Sequence, residues 1–168
     1  FAVWLDVLRE IPESVLWLWA SNPWAENELR SIAEAAGVAA SRLVFAEGRP
    51  QAAHLARLTL ADLALDTFPC NGHTTTSDAL WAGVPVVTLQ GEAFAARVAS
   101  SLLISAGLSD LVARTTEQYR LSILTVCRDE SLRKRLQNLS RALRRDSDLF
   151  DARGFATKLE DLLLRLHS

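Results

Sequence analysis

Strand-length apolar runs alternate with helical patterns through the first half of this 168-residue chain. The runs are apolar on both faces, as in parallel strands that helices cover on both sides. There are four of them: Val15–Trp19, Arg42–Phe45, Leu63–Leu65 and Val84–Leu89. The segments between them carry apolar residues at helical spacing: Trp24–Ala36, Pro50–Leu58 and Thr74–Ala82. The alternation predicts an α/β fold with a parallel sheet and flanking helices.

The second half of the chain shows helical patterns only. We expect helices over Glu92–Ala106, Thr115–Arg128, Asp129–Leu143 and Arg153–Leu166, and an opening helix over Ala2–Ile11. No Gly/Ser-rich linker separates the two halves. We therefore predict one domain over residues 1–168, alternating over 1–91 and mainly helical over 92–168.

Composition excludes several classes of function. The chain is 49% apolar and 23% charged with a net charge of −2, which argues against disorder and nucleic-acid binding. No apolar run approaches the roughly 20 residues of a membrane span. Cys70 and Cys127 lie far apart, and neither they nor the histidines have metal-site spacing, so we expect no metal and a reducing, cytoplasmic compartment. The five tryptophans are expected in the core or on a buried domain face.

The loop between the third strand and the Thr74 helix carries the strongest candidate site. Ligands of open α/β sheets bind at the carboxyl ends of the strands, and a helix N-terminus there suits a phosphate. Gly72, next to Asn71, permits a tight turn, and Thr74 and Thr75 place hydroxyls beside free amides. Asp78 follows one turn later on the same face, where it can accept from ribose hydroxyls.

Each of these residues also has an interpretation without a ligand. The threonines of residues 74–76 can simply cap the helix. Asp78 can be a first-turn carboxylate that the helix dipole stabilises. His54, on the helix after the second strand, can contact a nucleotide at the same sheet edge or be an ordinary surface or core histidine. The loop has neither dinucleotide nor P-loop glycine spacing.

A longer stretch of this region resembles the O-linked N-acetylglucosamine (O-GlcNAc) transferase family. The similarity runs through the Leu65–Thr75 segment, LDTFPCNGHTT, then Asp78–Thr88 and Gly91–Ala99, and extends weakly over the remaining chain. Among bacterial members, a Xanthomonas-type homologue is similar. The resemblance implies the C-terminal, Rossmann-like domain of a GT-B glycosyltransferase, which binds the donor UDP-GlcNAc.

The resemblance also implies roles for individual residues. Thr74 and Thr75 are expected to contact the diphosphate, Asp78 the ribose and His54 the uridine. The backbone of Arg49 is expected near the uracil edge, and His73, with Gly72 before it, beside the diphosphate or the sugar. Gln51 stands where several animal members have lysine, so a charged contact is lost there or replaced by an amide hydrogen bond.

The implied reaction is an inverting, metal-independent transfer of N-acetylglucosamine to Ser or Thr hydroxyls of an acceptor protein. The catalytic residues, with a diphosphate-binding lysine, are expected upstream of Phe1 in an N-terminal half preceded by tetratricopeptide repeats. We therefore expect residues 1–168 alone to be inactive. The alternatives are a noncatalytic nucleotide-binding or interaction module and another GT-B enzyme, such as a nucleotide-sugar epimerase.

Overall fold

The computed structural model describes residues 1–19 and 22–167, in which helices surround short parallel strands. The strands are β1 Leu16–Trp19, β2 Leu43–Ala46, β3 Ala64–Leu65, β4 Val86–Leu89 and β5 Val112–Ala113. The helices are α1 Ala2–Glu10, α2 Pro23–Ala35, α3 Gln51–Leu58, α4 Thr74–Trp81, α5 Val98–Ser105, α6 Thr116–Arg128, α7 Glu130–Asp146 and α8 Ala152–His167. The four predicted strands and the predicted helices are therefore present, with shifts at their ends.

The strands form two sheets instead of the single sheet expected. β1 pairs with β2, and β3, β4 and β5 pair in that order, all in parallel. The split arises beside β3, which is only two residues long and pairs on one edge alone among the described residues. The prediction that only helices follow β4 is wrong, because β5 adds to the edge of β4 with Thr88 opposite Val112.

Two apolar clusters lie on either side of this split. The larger one surrounds β4, where Val86 and Val87 pack with Leu80 of α4 and Ile123 of α6. The smaller one gathers α1, β1 and β2 around Leu5, Leu16 and Leu43. Leu65 and Trp4 touch both clusters and so join the two parts of the domain.

Three of the five tryptophans are exposed, whereas a position in the core or on a buried domain face was expected for all five. The side chains of Trp19 and Trp24 are 70% and 81% exposed, and Trp81 is 39% exposed. Trp4 is partly buried, and its indole Nε1 donates to the hydroxyl of Tyr119 over 3.0 Å. Tyr119 in turn is fully buried and donates to the backbone oxygen of Asp66 over 2.8 Å. This chain of two hydrogen bonds connects α1 and α6 to the end of β3.

Tyr119→Phe should destabilise the fold, because it leaves the Asp66 oxygen and the Trp4 indole without a partner. We expect a loss of about 1–3 kcal/mol in the free energy of unfolding, measured in urea. A double-mutant cycle with Trp4→Phe should show a coupling of at least about 0.5 kcal/mol. Simple additivity of the two substitutions would contradict a direct Trp4–Tyr119 interaction.

Candidate functional site

Asp66, the residue directly after β3, organises the loop that leads to α4. Its carboxylate is 5% exposed. Oδ1 accepts from the amides of Gly72 at 2.6 Å and Thr67 at 2.9 Å, and Oδ2 accepts from the Thr88 hydroxyl at 2.5 Å. The Asp66 amide meanwhile donates to Val87 of β4. One buried side chain thus closes the loop onto the sheet edge, and it was not among the predicted site residues.

Burial raises the pKa of Asp66 above its ordinary value of 3.8. The hydrogen bonds from Thr88, Gly72 and Thr67 favour the ionised carboxylate, and so does the nearby His73, but desolvation has the larger effect. The loop therefore depends on a carboxylate whose charge is costly to bury and is compensated by three donors.

The N-terminus of α4 is open towards the loop. Its N-cap residue is His73, which forms no side-chain capping bond. Within the described ranges, the amides of Thr74, Thr75 and Thr76 meet no acceptor, and the hydroxyls of Thr74 and Thr75 form no hydrogen bond. Thr76 differs, since its hydroxyl donates to the Gly72 carbonyl at 2.9 Å. The capping interpretation of the threonines is therefore wrong, and three amides with two hydroxyls remain for an anion.

Gly72 is required by close packing at this turn. A Cβ there would lie 2.5 Å from Oγ1 of Thr75, 2.8 Å from Oγ1 of Thr76 and 3.2 Å from Oδ1 of Asp66. The backbone consequently approaches the start of α4 more closely than any residue with a side chain allows.

Asp78 lies beyond the first turn of α4, which contains no acidic residue. The interpretation as a first-turn carboxylate is therefore wrong. The side chain is half-buried, on the helix that begins at the open amides. Its contact with a ribose stays a prediction.

His54 is paired with a residue that sequence reasoning missed. The guanidinium of Arg57 donates to Nδ1 of His54, with Nη2 at 3.2 Å, so the ring proton lies on Nε2. Arg57 also donates to the Glu47 carbonyl at 2.7 Å and lies 5.5 Å from the centre of the Trp17 ring. The three-residue spacing of His54 and Arg57 on a helix was the available signal.

A cleft of about 920 Å³ joins these two parts of the site. Its lining includes Arg49, His54 and Arg57 from the first part and Thr75, Thr76 and Asp66 from the second. Gln51, Gly72, His73, Thr74 and Asp78 are not among its lining residues. The structure thus brings together the predicted residues Arg49, His54 and Thr75, while the others lie around the loop and α4 or, for Gln51, at the exposed start of α3.

The described residues contain no group of three or more His, Cys, Asp or Glu side chains that could hold a metal ion. None of their helices is both long and apolar enough to cross a bilayer.

Solved structures with the same fold define the class of protein. An O-GlcNAc transferase mutant of Thermobaculum terrenum superposes with a TM-score of 0.88 and 38% identity, over 97% of this chain and 32% of that one. WaaG, a glycosyltransferase involved in lipopolysaccharide biosynthesis, shares the fold with a TM-score of 0.68 at 21% identity, over 94% of this chain and 42% of WaaG. The domain has the fold of GT-B glycosyltransferases, which confirms the predicted fold class.

Sequence comparison then identifies the family. The chain belongs to glycosyl transferase family 41, whose family model matches residues 1–159. It is 36% identical over 161 residues to the UDP-N-acetylglucosamine–peptide N-acetylglucosaminyltransferase of Caenorhabditis elegans, covering 96% of this chain and 14% of the relative. A probable enzyme of the same name, SEC of Arabidopsis thaliana, is 36% identical over 94% of this chain and 16% of its own length. The chain thus spans about one seventh of these relatives.

Asp66→Asn should change how stability depends on pH. Because the pKa is raised in the folded state, the folded protein binds more protons than the unfolded chain between 3.8 and that raised value. The free energy of unfolding of the wild type should therefore rise, relative to that of the variant, as the pH falls through this window. Urea unfolding at a series of pH values measures the difference. Asp110→Asn, at an exposed carboxylate, is the control, and a difference that stays flat or falls would contradict the assignment.

Gly72→Ala should cost about 1–3 kcal/mol in the free energy of unfolding, since the added methyl group meets the hydroxyls of Thr75 and Thr76. Gly48→Ala is the matched control, because a Cβ there meets nothing within 4 Å. We expect it to change stability by less than about 0.5 kcal/mol. Equal effects of the two substitutions in urea denaturation would argue against the close packing at Gly72.

Proposed function

We propose that residues 1–168 form the donor-binding domain of an inverting glycosyltransferase that transfers N-acetylglucosamine from UDP-GlcNAc to Ser or Thr hydroxyls of proteins. The observation that carries the proposal is the open start of α4, with three unbonded amides and the Thr74 and Thr75 hydroxyls. Membership of family 41 and the similarity to peptide N-acetylglucosaminyltransferases support it.

The chemistry of the site suits a nucleoside diphosphate. Aligned amides and the helix dipole attract the negative charge of the diphosphate. The same groups would stabilise the additional negative charge that develops on UDP as it leaves. His54 can donate from Nε2 to the nucleoside, and Arg57 holds its ring in place. We assign Thr74 and Thr75 to the diphosphate, Asp78 to the ribose, and His73 and Gly72 to the phosphate end. Arg49 and Gln51 flank the nucleoside side.

We also propose that polypeptide outside residues 1–168 completes this sheet. The cleft runs between β1 and β3 and is lined by all four residues of β1 and by Ala64 and Leu65. The amides of Ala64 and Asp66 donate to the carbonyls of Pro85, just before β4, and Val87 of β4, so the amide and carbonyl of Leu65 point towards the other edge. In doubly wound sheets of strand order 3-2-1-4-5-6, one strand lies between the second and the fourth. The observed order, β2-β1 and β3-β4-β5, fits that arrangement with the middle position open.

The catalytic base belongs to this outside part under the proposal, together with the acceptor site and the tetratricopeptide region. The greater length of the curated relatives supports such a division. The donor domain would then bind the sugar nucleotide, and the acceptor would approach from the other half.

Titration calorimetry with UDP and with uridine tests the donor site. Replacing both Thr74 and Thr75 by Ala should weaken UDP binding roughly 10-fold or more, because two hydrogen bonds to a charged group are lost, and should change uridine binding little. Thr157→Ala, at an exposed threonine of α8, is the matched control.

Two results would contradict the proposal. An equal loss of affinity for UDP and for uridine in the double variant would contradict a contact between the two threonines and the diphosphate. No heat and no thermal shift at millimolar UDP would remove the donor site and favour an interaction module.

A further inference from the structure

Phe94 presents an exposed aromatic ring beside the start of α4. It begins a short 3₁₀ helix, Phe94–Ala96, in the loop after β4, and its side chain is 81% exposed. The ring contacts the imidazole of His73 edge to face, with 6.1 Å between the ring centres and an angle of 88° between the planes. His73 is the N-cap residue of α4. An apolar surface therefore borders the proposed phosphate site.

The loop that carries Phe94 is tied to the loop before α4. The Asn71 amide donates to the Ala95 carbonyl over 2.8 Å, and the Gly91 amide closes the loop onto the Ala96 carbonyl over 2.9 Å. Packing within the loop is close, since a Cβ on Gly91 would lie 2.8 Å from the Cβ of Ala96. The backbone that carries the ring is therefore held against the loop that sets the start of α4.

His54 lines the same cleft as Thr75, whereas Phe94 contacts His73, so the two rings neighbour different residues at that helix start. His54 belongs to α3, which follows β2 and packs against α4. Phe94 follows β4, the neighbour of β3 on the other side, and its 3₁₀ helix packs against α5. A diphosphate at Thr74 and Thr75 with its nucleoside towards His54 would direct its second substituent towards Phe94.

We propose that Phe94, backed by His73, forms the wall against which the hexopyranosyl group of the donor packs. A pyranose ring has an apolar face of C–H groups, and an aromatic ring offers a flat apolar surface for it, with partial negative charge on its face. Phe94 then determines affinity for the sugar and contributes nothing to UDP itself. This inference rests on the proposed donor site and names the part of the donor that Phe94 recognises.

Calorimetry with UDP and UDP-GlcNAc on the Phe94→Ala and Phe94→Trp variants tests the inference. Phe94→Ala should weaken UDP-GlcNAc binding roughly 3- to 10-fold and leave UDP affinity within about 2-fold. Phe94→Trp, which keeps an aromatic surface, should retain most of the UDP-GlcNAc affinity. Phe155→Ala is the matched control, because Phe155 is 66% exposed on α8 and should affect neither ligand.

The outcomes separate this inference from the proposed function. An equal loss of affinity for UDP and UDP-GlcNAc would mean that Phe94 acts through the conformation of its loop. An unchanged affinity for UDP-GlcNAc would mean that the ring does not contact the sugar. Either result would contradict the role of Phe94 as a wall for the sugar. If the unsubstituted chain binds UDP and only the sugar effect is missing, the donor site stands. If the unsubstituted chain does not bind UDP, the proposed function fails and the wall fails with it.

Discussion

The buried carboxylate of Asp66 is the interaction on which the rest of the site depends. It accepts hydrogen bonds from Gly72, Thr67 and Thr88, and the backbone oxygen of Asp66 accepts one from the hydroxyl of Tyr119. The turn before α4, the strand β4 and the helix α6 therefore meet at one residue. A charge this deeply buried is stable only while its donors stay in place, so each element restricts the position of the others.

This arrangement explains why the start of α4 is open. The Asp66 carboxylate accepts a hydrogen bond from the Gly72 amide, and the Thr76 hydroxyl donates to the Gly72 carbonyl. Neither side chain therefore caps the amides at the start of α4. A side-chain cap at His73 would have added about 1 kcal/mol to helix stability. The loop is held rigidly by contacts outside the helix while the helix amides stay unbonded, which is the condition for binding an anion without rearrangement.

The sequence predicts the individual strands and helices better than it predicts how they pair and pack. Apolar runs reveal β1 to β4 because a strand buried on both faces leaves a continuous pattern. β5 is missed because Val112 and Ala113 are too short a run to stand out. The exposure of Trp19 and the break in the sheet beside β3 depend on which segments cover the sheet edges, and the local sequence pattern carries no information about that.

The candidate site shows the same division. Asp66 resembles any polar residue after a strand, and its importance arises from Thr88, which comes beside it only through the pairing of β3 with β4. The threonine loop was found because a turn, hydroxyls and a helix start follow one another in sequence.

The contacts proposed for the donor come from the segments that follow three different strands. His54 and Arg57 belong to the helix after β2, the open amides to the helix after β3, and Phe94 to the loop after β4. The loop with Phe94 is linked to the loop before α4 by the hydrogen bond from the Asn71 amide to the Ala95 carbonyl, and α3 packs against α4. His54 is held by Arg57, which contacts the Glu47 carbonyl and the ring of Trp17 within the smaller part of the domain. Under the proposal, recognition of the nucleoside depends on how the two sheets are held relative to each other, whereas the phosphate site depends on the Asp66 network. A strand between β1 and β3 would couple the two by fixing both sheets in one hydrogen-bonded frame.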